Sequence, residues 1–140
     1  MSQVGKFNMV FGFIAILLAS GAGPFLGLYT LEGFNQDESI LSSWHFWLSR
    51  SAHAHMSLLA MIQILVGLTL PYSALSERVK KTQALGLVLG VIALGPLMAI
   101  KATFQANSDF LILDICLGLL LSSFYLALIL HVWGLLVKKR

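Results

Sequence analysis

Charge is what this chain has least of. Asp, Glu, Lys and Arg make up 11% of its 140 residues, against roughly 25% in a soluble domain. So few charges cannot cover a water-facing surface, which excludes an ordinary soluble enzyme and a charge-rich disordered tail. Cysteine is nearly absent as well: Cys116 stands alone inside an apolar run. A lone cysteine makes no internal disulfide, which excludes a disulfide-rich secreted module and leaves the redox compartment unreadable. The chain also lacks a glycine-rich phosphate loop, a Ser/His/Asp set, a long repeat and a low-complexity tract. Its net charge of +3 is not gathered on one segment, so nucleic acid is not an expected partner.

What is present is apolar. Hydrophobic residues reach 58% and mean hydropathy is +0.87. A membrane helix needs about 20 mostly apolar residues. Four runs qualify, from about Phe7 to Leu31, Leu48 to Pro71, Gln83 to Phe104 and Phe110 to Val137. They fill most of residues 1–140, so a single all-α membrane domain is expected. Lys6 followed by an apolar run and small residues resembles a signal peptide. The apolar character continues through Pro24-Phe25-Leu26-Gly27-Leu28, so the first run is expected to be retained.

Basic residues set orientation. With the N-terminus inside, the inner side holds Lys6, Arg78, Lys80, Lys81, Lys138, Lys139 and Arg140, and the outer side only Arg50 and Lys101. The acids Glu32, Asp37, Glu38, Asp109 and Asp114 fall outside, with Glu77 inside. The Ser76–Lys81 loop and the Asn107-Ser108-Asp109 turn are short, and short connections make neighbouring helices antiparallel. The expectation is an up-down four-helix bundle with both termini in the cytoplasm, in a prokaryotic inner membrane. Trp44, Phe46 and Trp47 suit an outer interfacial belt. Pro24 and Pro96 are expected to kink their helices. Gly23 and Gly27, like Gly86 and Gly90, sit four apart, spacing that lets a helix or a flat cofactor approach the backbone.

Polar groups inside a membrane helix default to a functional reading. The densest set is Arg50-Ser51-Ala52-His53-Ala54-His55-Met56-Ser57. At about 100° per residue, His53 and His55 lie roughly 200° apart on nearly opposite faces. One regular helix therefore cannot bring both to one metal. Two opposed imidazoles suit two separate groups, and a neutral imidazole is a good axial ligand for haem iron. The bland alternative is a hydrogen bond to a headgroup or a neighbouring helix. Arg50, one turn before His53, and Trp47 would meet haem propionates near the outer surface, or simply anchor the helix. His45 is a further candidate metal-site partner, and Met56 and Met98 are candidate thioether ligands or gap-fillers. His131, beside Trp133 near the inner end of the last run, lies roughly 20 Å or more from the His53 layer and is expected to be interfacial. Lys101 and Asp114 flank the third turn symmetrically and are expected to pair.

The string His53-Ala54-His55-Met56-Ser57-Leu58-Leu59-Ala60-Met61 resembles the His-x-His helix of the catalytic subunit of haem–copper oxidases and nitric oxide reductases. That resemblance covers about 20 residues of the 140. It implies one imidazole for a low-spin haem and the other for a high-spin haem, on opposite faces. The copper centre of that family needs three further histidines that this chain does not offer, so full oxygen reduction is not expected. The resemblance implies a small relative that binds one or two haem b and transfers electrons or binds a small ligand at iron. Quinone or a redox protein would be its partner in the lipid bilayer, and a homodimer is expected, since four helices barely enclose one haem. Two other readings stay open: a copper-handling protein using His53, His55 and Met56, and a cofactor-free structural or assembly subunit of a respiratory complex.

Overall fold

A computed structural model describes residues 2–36, 39, 43–104 and 111–137. Among these there is no strand. Four helices are long and apolar enough to cross a membrane, which makes the chain an integral membrane protein. Helix is the expected form, because in hydrocarbon each backbone N–H and C=O needs a partner within its own segment. α1 is Gln3–Gln36 and runs through Pro24 without a break. α2 is Trp44–Thr69, followed by a tighter turn over Leu70–Tyr72. α3 is Glu77–Ala102, with one wide, π-type turn at Ala93–Leu97 around Pro96. α4 is Leu111–Leu136.

Three helices start earlier than the apolar runs predict, for local reasons. Ser43 caps α2: its hydroxyl accepts the Phe46 N–H at 3.2 Å, so Trp44, Phe46 and Trp47 belong to the helix rather than to a loop before it. The predicted Ser76–Lys81 loop is instead a cap at Ser76 and the first turns of α3. Glu77 suits the positive end of a helix and pairs with Lys80 at 3.0 Å. α1 begins at Gln3 rather than Phe7. The predicted turn at Asn107-Ser108-Asp109 lies outside the described residues.

Small residues set the packing. Gly5 and Gly67 face each other so closely that a Cβ on either would come within 2.7 Å of the other's carbonyl oxygen. Gly12 lies against Ala60 and Ile64. A Cβ on Gly86 would sit 2.8 Å from the Ser123 carbonyl oxygen, and one on Gly90 would overlap Phe124. The core joins Leu59, Leu70, Leu87, Val91 and Phe124 across three helices. It includes one buried amide pair, Gln63 Nε2 donating to Asn8 Oδ1 at 3.3 Å.

The ends carry polar ties. At one end Lys101 bonds Asp114 and lies 5.8 Å above the Trp44 ring. At the other, the Ala74 N–H donates to the Gly134 carbonyl at 2.7 Å. The predicted Lys101–Asp114 pair is therefore present, on adjacent ends of α3 and α4.

Candidate functional site

α1 and α2 build most of the site, and α3 bounds part of it through Gly95 and Pro96. Because α2 starts at Trp44, the middle of its span falls at Leu58 rather than further along. At 1.5 Å per residue His53 and His55 are about 7.5 and 4.5 Å from the middle of the helix, in the half that begins at Trp44. The two rings diverge as the helix geometry requires. His53 is half-buried and turned to α1; His55 is exposed.

His53 sits where two adjoining cavities meet. The larger, about 540 Å³, is lined by Gly23, Gly27, Thr30, Phe46, Arg50 and His53. The smaller, about 280 Å³, is bounded by Ala19, Ala52, His53, Met56, Gly95 and Pro96. The larger falls in the roughly 300–1,000 Å³ range of small-molecule sites. A Cβ on Gly23 would lie 3.3 Å from His53 Cε1 and 3.6 Å from Nε2, so the missing side chain is what leaves room beside the ring. Gly27 has nothing within 4 Å of its Cβ position and also opens onto the larger cavity. The Nδ1 of His53 is buried without a hydrogen-bond partner among the described residues. Arg50, one turn away, also lines that cavity.

The remaining predicted residues are elsewhere. His55 Nδ1 donates to the Ser51 carbonyl oxygen at 2.8 Å and lies 3.1 Å from the Ser51 hydroxyl. It lines neither cavity. Trp47 is exposed, packs edge-on against Phe46 and lines neither cavity. His45 is in the first turn of α2, not ahead of it. Its Nδ1 donates to the Ala102 carbonyl oxygen at 2.7 Å and its ring meets Tyr29 edge-on. That engagement makes it a tie between helices. No group of three or more His, Cys, Asp or Glu among the described residues is placed to hold a metal ion.

His131 is turned toward the bundle. It is buried, and its Nε2 lies 2.7 Å from the Thr69 hydroxyl oxygen. That hydroxyl is close to the Leu65 carbonyl, 2.8 Å away, and gives its hydrogen there. The His131 N–H is therefore the donor to Thr69. A polar partner on α2, invisible in the local pattern around Trp133, draws the ring inward.

The contribution of Gly23 was half-legible, since its spacing from Gly27 marked a close approach without naming the ring that uses it. Phe46 was legible only as part of an aromatic belt, and Thr30 carried no signal of its own. No family model, no curated protein and no solved structure matches the chain.

Proposed function

We propose that the protein is a small b-type haem protein of a membrane, resembling a minimal haem–copper oxidase relative, with one haem per protomer held by His53. The observation that carries this reading is the half-buried His53 ring at the junction of two cavities, its Nδ1 unpartnered among the described residues. The residues present fit a flat, acid-bearing group: Gly23 and Gly27 leave a face of α1 bare, and the Arg50 guanidinium can receive a carboxylate. His53 would hold the iron, Arg50 would pair with the propionates and Gly23 would form the wall. Bound haem would supply a one-electron couple and a seat for a small exogenous ligand. Most of the lining of both cavities is apolar. Quinone or a redox protein would exchange electrons with such a site.

The same reading places the helices up and down across a prokaryotic inner membrane, with both termini in the cytoplasm. Supporting this, contacts that climb α1 descend α2, from Gly5 against Gly67 and Gly12 against Ile64 to Gly23 against His53. The excess of Lys and Arg on one side agrees.

The test is an ultraviolet–visible spectrum with pyridine haemochrome quantitation on protein made with ample haem. Wild type is expected to carry haem b, His53→Ala to lose it, and His55→Ala to keep it. A colourless wild type overturns the reading. Copper is the second reading, favoured by His53 and Met56 lining the smaller cavity together; stoichiometric copper in haem-free protein would select it.

A further inference from the structure

We propose that the outward face of α2 is the contact between two copies of this chain, fastened by Ser51 and His55. This gives the expected dimer a defined face and needs no haem at His53.

The argument starts from depth. His55 is three residues from the middle of a 29-residue span, yet its ring is exposed. A polar side chain this deep is costly against lipid and faces protein by default. Its neighbours on that face follow a heptad seam. Ser51, Ala54, Leu58, Met61, Leu65 and Leu68 are spaced by alternating threes and fours. All are exposed except half-buried Ser51. The exposed face of α4 has the same alternating spacing through Ile112, Ile115 and Leu119, so what singles out the α2 face is its exposed imidazole, beside which the small Ser51 and Ala54 permit close approach.

The polar groups point to a second copy rather than to a different protein. His55 Nδ1 gives its hydrogen to the Ser51 carbonyl, so the Nε2 is left as an acceptor. The Ser51 hydroxyl still has a hydrogen to give. Each copy thus offers one donor and one acceptor, brought to nearly the same depth by the 3.1 Å contact between the Ser51 hydroxyl and the His55 ring. A twofold axis along the membrane normal keeps equal residues at equal depth and lets both bonds form reciprocally, as a self-complementary contact requires. A partner of other sequence would have to supply that pair independently.

The test is disulfide cross-linking in lipid vesicles, in a Cys116→Ser background that removes the exposed native thiol. Ala54→Cys and Leu58→Cys are expected to trap dimers, and Leu119→Cys on the exposed face of α4 is not. His55→Leu and Ser51→Val, both compatible with a lipid-facing helix, are expected to weaken association about tenfold, measured by energy transfer between labelled copies. His53→Ala is expected to leave the cross-links intact, so loss of pigment and loss of the dimer can be told apart. Cross-links from Leu119→Cys but not Ala54→Cys overturn the proposal. So does a His55→Leu variant that dimerises as wild type, and more so if it has lost haem, which would make His55 a ligand.

Discussion

Leucine in place of Gly23 is expected to strip the protein of haem while leaving the bundle folded. The Cβ alone would stand 3.3 Å from His53 Cε1, a contact the ring relieves by moving a few tenths of an ångström. Gly23→Ala should therefore keep most of the pigment. Leucine adds branched carbons where the His53 ring meets the larger cavity, and the ring cannot yield to all of them. Groups that orient a metal ligand typically cost about 10–100-fold in affinity when disturbed, so retained haem should fall by at least about tenfold. The helix itself gains, since leucine is favoured over glycine by up to about 1 kcal/mol. Gly21→Leu is the control: its Cβ position has nothing within 4 Å, and its pigment should equal wild type. Full haem in Gly23→Leu would mean that the cavity is not the site.

The second large effect is expected at Gly90. Glycine to alanine in a helix ordinarily stabilises by about 0.5–1 kcal/mol. Here the new methyl would lie 2.4 Å from Phe124 Cβ and 2.5 Å from its Cδ2. Phe124 is buried, with 1% of its surface exposed, and has nowhere to go. Overpacking of this kind costs about 1–3 kcal/mol, so the sign reverses and Gly90→Ala should lose about 1–2 kcal/mol net. Reversible unfolding in mixed detergent micelles would measure it. Phe124→Ala removes Cγ and Cδ2, two of the three clashing atoms, so in a double-mutant cycle Gly90→Ala should cost less on that background. A Gly90→Ala variant as stable as wild type would show that α3 and α4 do not meet there.

These two glycines show what the sequence could and could not convey. Both belong to pairs spaced by four, and spacing alone treats them alike. Gly86 and Gly90 serve helix packing; Gly23 serves a histidine ring. What separates them is the residue opposite, Phe124 in one case and His53 in the other, and that is a tertiary fact. The four spans were legible because lipid demands a long apolar run. Their starts were not, because a helix continues past the apolar run until a cap such as Ser43 ends it. The opposed faces of His53 and His55 followed from helix geometry, and the Lys101–Asp114 pair from symmetry about a turn. The burial of His131 did not, since its partner Thr69 lies 62 positions away.

The wide turn at Ala93–Leu97 has a further effect on how α3 divides its length. Before it, Gly86 and Gly90 address α4. Within it, Gly95 lies against Met56 of α2. After it, Lys101 and Ala102 reach Trp44 and His45 of α2. A regular helix would carry one stripe past one neighbour. A turn with i→i+5 bonding takes up an additional residue, and each residue is worth about 100° of rotation. The turn therefore works as a phase shifter: it lets one span change allegiance in its last third, and the azimuth of Lys101 is set by a single unit of chain length within the Ala93–Leu97 turn.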